Sequence, residues 1–139
     1  MTVSDPDAPR QLPLDQPRPL SDDERALLDA LLAGPRSRPE LVVQVCTAQI
    51  VGECSCGCPS VWIRADADLP ALVIEAEESP TGDPAYYSLT AHGRNNDAQD
   101  VQVTLHVTGG RVEELEIWSG APGPTTLPLP ATLRYSEDD

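Results

Sequence analysis

An α+β fold, with one or two N-terminal helices packed on an antiparallel β-meander of about five strands, is what this sequence predicts. Three observations carry that expectation. A capped, leucine-striped segment follows a proline-rich start; beyond residue 47 the apolar pattern switches to a period of two; and Gly109-Gly110 separates the two cleanest alternating runs.

Residues 1–20 hold Pro6, Pro9, Pro13, Pro17 and Pro19, which remove backbone donors and restrict their neighbours, so a disordered or extended leader outside the domain is expected there. Such a leader would be dispensable for stability. Ser21-Asp22-Asp23-Glu24 then reads as a capping box, in which the Ser21 hydroxyl takes the N3 amide and Glu24 reaches back. Leu27, Leu28, Leu31 and Leu32 make one apolar stripe that Gly34-Pro35 ends, giving a helix over about 22–33. Pro39 at a first-turn position predicts a short second helix over 39–46, against the β-forming content of Leu41, Val42, Val43 and Val45, which favours a strand.

Residues 47–53 and 60–65 read as strands joined by a cysteine turn, and residues 72–77 alternate in the same way. Another strand follows Asp83-Pro84, with Tyr87, Leu89 and Ala91 on one side and Tyr86, Ser88, Thr90 and His92 on the other. Val101, Val103, Leu105 and Val107 form the next apolar face, and the chain returns over Val112 to Trp118. An unbulged two-residue loop would set Leu105 opposite Glu114 and mix the faces. A bulge or a three-residue loop pairs Leu105 with Leu115 and Val103 with Ile117, and is therefore expected. A single domain over 21–120 is the result, with residues 121–139 as an extended proline-rich tail that can bury Leu127, Leu129 and Leu133.

Composition excludes several functions. The 139 residues carry a net charge of −14, and residues 41–139 hold fifteen acidic side chains against only Arg64, Arg94, Arg111 and Arg134. No window clusters the cations that a nucleic-acid site requires. No apolar run approaches the ~20 residues of a membrane helix, and the acidic start lacks the features of a signal peptide. A cytoplasmic location is the resulting expectation, with reduced or metal-bound cysteines.

Three of the four cysteines fall in Cys54-Ser55-Cys56-Gly57-Cys58-Pro59-Ser60. Crowded thiolates make either a clamp for a soft metal such as zinc or copper or an exchangeable dithiol. The spacing is not that of a paired zinc knuckle, and only Cys46, His92 and His106 remain as further soft ligands. A redox pair belongs at a helix N-terminus, whereas the residues after Pro59 favour a strand. The third reading is structural: small cysteines lining a tight turn at Gly57.

Strand parity places Trp62, Tyr86, His92, His106 and Trp118 on the polar sheet face with Glu75, Glu77, Gln102, Thr104, Glu114 and Glu116. Aromatic groups among convergent polar ones suit a ligand cleft or a partner surface. The opposing reading has the tail near Leu127 to Leu133 folded over both indoles. The acidic runs at 75–78 and 113–116 lack the ligand density of a calcium loop, and no nucleophile–base pairing is legible.

The segment Leu20-Ser21-Asp22-Asp23-Glu24-Arg25-Ala26-Leu27-Leu28, the Cys56-Gly57-Cys58-Pro59-Ser60 turn and the strand from Gly110 to Ile117 resemble a group of small uncharacterised bacterial proteins. That resemblance covers residues 20 to about 120 and implies no activity. A non-enzymatic cytosolic module binding a protein or small molecule is the functional expectation. The alternative is a thiolate metal-binding protein using Cys54, Cys56 and Cys58.

Overall fold

The computed structural model describes residues 11–121 and 124–135. Among these residues two helices, α1 (Asp22–Leu32) and α2 (Pro39–Cys46), cover one face of a seven-stranded antiparallel sheet. The strands are β1 (Gln11–Pro19), β2 (Gln49–Cys54), β3 (Val61–Arg64), β4 (Tyr86–Arg94), β5 (Asp100–Thr108), β6 (Arg111–Trp118) and β7 (Arg134–Tyr135). Their spatial order is β1-β2-β3-β6-β5-β4-β7. The α+β class is therefore right, but the fold is strand-dominated, with seven strands rather than about five. Nor is it one meander: residues 65–85 carry the chain from β3 past β6 and β5 to β4.

The two additional strands come from the segments expected to lie outside the domain. Residues 11–19 are not a disordered leader. They pair with β2 at Gln11, Leu12 and Pro13 and again at Arg18 and Pro19, with an irregularity between. An edge strand accommodates proline because one side of its backbone has no ladder to feed. Residues 1–10 lie outside the described residues. At the other end, β7 pairs with β4 through Tyr135 and Arg134, so the tail too joins the sheet. The strand expected over 72–77 is absent: Leu72 and Ile74 are buried in irregular chain, and Ala76–Glu78 forms a 3-10 turn. Glu75 and Glu77 thus leave the sheet face assigned to them.

Both helices form where the local sequence places them. Glu24 N–H donates to Ser21 Oγ at 3.1 Å and Ser21 N–H to Glu24 Oε1 at 2.8 Å, completing the capping box. Leu27, Leu28, Leu31 and Leu32 are buried on one side of α1, each contributing on the order of 1.5–3 kcal/mol by leaving water. In α2 the buried Leu41 and Val45 override the β preference of their neighbours, while Val42 and Val43 stay exposed. Between them Gln44 is fully buried. Its Nε2 donates to Pro70 O (3.0 Å) and Gly110 O (2.9 Å), and its Oε1 accepts from Val112 N–H (2.9 Å), so one side chain joins α2, the loop before Leu72 and the last hairpin.

That hairpin has the expected register. Leu105 faces Leu115 and Val103 faces Ile117, with Gly109 and Gly110 both at positive φ and a bulge beyond His106. Thr108 still faces Arg111, so the loop has two residues and the bulge leaves Glu113 unpaired. Gly110 is required for a second reason: a Cβ there would sit 2.3 Å from Leu72 O.

Candidate metal centre and the open sheet face

The cysteine turn closes the β2–β3 hairpin. Cys54 N–H donates to Ser60 O (3.3 Å) and Gly57 N–H to Cys54 O (3.1 Å), and Gly57 takes a φ of 85°, which reverses the chain without a side-chain clash. Ser60 anchors the turn from below. It is buried, its Oγ accepts from Ile117 N–H at 2.8 Å and donates to Ile117 O at 3.3 Å, and Cys58 Sγ lies 3.3 Å from it. The turn is thereby tied to β6 in the middle of the sheet.

Cys54, Cys56 and Cys58 present their sulfurs together, all within 4.8 Å of one another, with Cys54 Sγ and Cys56 Sγ 3.1 Å apart. Cys54 is buried, Cys56 exposed and Cys58 half-buried. A metal–sulfur bond of about 2.3 Å puts sulfurs about 3.8 Å apart in a tetrahedron and about 4.0 Å in a trigonal plane, within reach of this spread. Among the described residues no histidine, carboxylate or fourth cysteine joins the group. Cys46 ends α2 and is exposed.

The three thiols are electrostatically unequal. Burial, reinforced by the hydrogen bond to Cys56, pushes Cys54 up to about 11. Burial also acts to raise Cys58, but hydrogen bonds from Ser60 and Cys56 outweigh it and hold this thiol below its ordinary value. A cation that stabilises all three thiolates must overcome the Cys54 penalty.

Cys54 and Cys58 line a cleft whose other walls include Arg18, Asp23, Glu24, Glu53 and Leu127. These neighbours were not legible as site residues, because the cleft is assembled from β1, the start of α1, β2 and the tail. Glu24 is buried and accepts a bidentate pair from Arg18 at 2.9 and 3.0 Å. Burial acts to raise the Glu24 carboxyl, yet the bonds from Arg18 and Ser21 prevail and hold it below the usual carboxylate range.

The sheet face opposite the helices carries the residues expected to bind a partner, in three rows set by register. Ser88, His106, Glu114 and Trp62 cross β4-β5-β6-β3 in one row; Thr90, Thr104 and Glu116 form the next; His92, Gln102 and Trp118 form the third. Trp118 lies four positions beyond Glu114 along β6, about 13 Å of strand, so the two tryptophans belong to different rows. Trp62 is 9% exposed and Trp118 59%. Tyr86 O–H and His106 Nδ1 share a hydrogen bond, and His106 Nε2 reaches Glu116 Oε1 at 2.8 Å, linking the first two rows. His92 is exposed beside Gln102.

The described residues of the tail pack elsewhere. Pro128, Thr132 and Leu133 approach Gly93, on the core side of β4, and Tyr135 packs against Gly34 beyond α1. Trp62 is buried on this face, whereas Trp118 is exposed.

No protein-family model, curated protein or solved structure matches the chain. No helix among the described residues is long and apolar enough to cross a membrane.

Proposed function

We propose that this protein is a non-enzymatic binding module whose ligand is a thiolate-bound metal, zinc or copper, held by Cys54, Cys56 and Cys58. One observation carries the reading: three sulfurs gather within 4.8 Å on a turn that buried Ser60 fastens to β6. Soft thiolates select these metals over calcium or magnesium. A cytoplasmic setting, where thiols stay reduced, is part of the proposal. Elemental analysis of the full chain purified without an affinity tag tests it. Stoichiometric zinc or copper that is lost in Cys56→Ser supports the reading, whereas a protein that takes up neither metal and titrates three free thiols overturns it.

A second reading is favoured by the exposure of Trp118 at the end of β6 beside His92 and Gln102. Here the exposed end of that sheet face, around Trp118 and His92, takes a protein or small-molecule partner, with Trp118 as the anchor. The sparse, scattered arginines favour a partner other than nucleic acid. A partner seated there changes indole fluorescence in the native chain, and Trp118→Ala weakens the complex while leaving the fold intact. An unchanged affinity would remove Trp118 from the surface.

A further inference from the structure

Resting on the thiolate reading above, we infer that the metal of the cysteine turn is copper(I), bound in a three-sulfur site and loaded through the acidic cleft.

The donor set supports this first. The described chain gathers three thiolates and no histidine, carboxylate or fourth cysteine within the group. Structural zinc is almost always four-coordinate, and a three-ligand zinc site keeps an open position for water or substrate. Copper(I) is soft and needs no hard fourth donor, and thiolate sulfur is the donor class that selects it. His106 on β5 is outside the group and is held by Tyr86 of β4 and Glu116 of β6. Cys46 stands at the end of α2, outside the cluster.

The surroundings support it second. Cys56 is exposed at the tip of the turn, while Cys54 and Cys58 open into the cleft walled by Asp23, Glu53 and the Arg18–Glu24 ion pair, with Arg18 also 4.0 Å from Glu53. The cleft thus sets three carboxylates against one guanidinium, a net negative wall, and the tip of the turn adds an exposed thiol. Carboxylates are poor ligands for copper(I), so they draw the ion in without capturing it. Binding replaces the protons of Cys54, Cys56 and Cys58 with one metal ion, and those protons leave to solvent; no electron is transferred.

Metal-free, reduced full-length protein is titrated anaerobically with copper(I) against a chromophoric bicinchoninate competitor, and separately with zinc against a pyridylazo dye. X-ray absorption then reads the donors of the loaded protein. One equivalent of copper(I), a shell of three sulfurs without nitrogen or oxygen, and displacement of zinc by copper(I) are expected. Cys56→Ser should weaken copper(I) binding about tenfold or more while Cys46→Ser leaves it unchanged. Because Cys56 is exposed, the folded state of Cys56→Ser is checked by its melting curve against the native chain. Zinc retained against copper(I), or a fourth nitrogen or oxygen donor in the copper shell, overturns the copper(I) assignment and leaves the thiolate reading standing. Failure of both metals to compete with their dyes removes the thiolate reading itself.

Discussion

The two tryptophans offer a direct measurement of what the open sheet face does. Trp62 sits on β3 opposite Glu114 and is 9% exposed, while Trp118 ends β6 and is 59% exposed. An indole that gives up nearly all its contact with water buries some 150–250 Å². At about 25 cal/mol per Å² this is on the order of 4–6 kcal/mol as an upper bound, and truncating core aromatics to alanine typically costs about 3–5 kcal/mol. Trp62→Ala is therefore expected to cost about 3–5 kcal/mol, which for a domain of this size lowers Tm by roughly 10–15 °C. Trp118→Ala removes a side chain already more than half in water, and its cost should stay near 1 kcal/mol or below. Thermal and urea unfolding followed by circular dichroism measures both. A quencher titration of the single-tryptophan variants Trp62→Phe and Trp118→Phe provides the independent check: the indole left at 118 should be accessible and the one left at 62 shielded. Equal losses of stability, or equal quenching, would refute the assignment of Trp62 as a structural residue and of Trp118 as the open one.

Gln44→Leu keeps the volume of the side chain but orphans Val112 N–H and the carbonyls of Pro70 and Gly110, so a loss of about 2–4 kcal/mol in urea unfolding is expected; a neutral result would mean that water replaces the amide. The Glu24 carboxyl is held low in the fold, so its contribution is complete above the ordinary carboxylate pKa of about 4.3 and is lost as pH falls through the lower folded value; Glu24→Gln should flatten the fall in the urea midpoint as pH drops below about 4.3. Removing residues 1–18 deletes most of β1 together with Arg18, so a lowered Tm is expected, contrary to a dispensable leader. In the metal-free reduced protein, mass spectrometry of partially alkylated chains near pH 8 should find Cys58 modified well before Cys54, whose thiol is pushed up to about 11; the reverse order would contradict the environment described for the turn.

Sequence alone determined the elements whose cause is local. Ser21 and Glu24 cap α1 through bonds three residues apart, and the mismatch of apolar faces across Gly109-Gly110 calls for a bulge or a longer loop; that it is a bulge at Glu113, and that residues 39–46 are a helix rather than a strand, was settled by packing. The sequence also gathered Cys54, Cys56 and Cys58, since alternate residues of a tight turn cannot be far apart. Tertiary structure decided the rest. Proline content in residues 11–19 reads as disorder, yet an edge strand tolerates it once β2 supplies a ladder, and no signal within the segment announces that partner. Alternation over 72–77 reads as a strand, but Leu72 instead docks on the Gly110 turn, a contact thirty-eight positions away, counting from residue 72 to residue 110. Trp62 and Trp118 share a face by parity, while their opposite exposures, 9% and 59%, belong to the folded chain. The cleft beside the sulfurs could not be read in advance either, because Arg18, Asp23, Glu53 and Leu127 reach it from four separate segments. Side-chain periodicity and capping are properties of neighbours in the chain, whereas strand order and cleft walls are properties of neighbours in space.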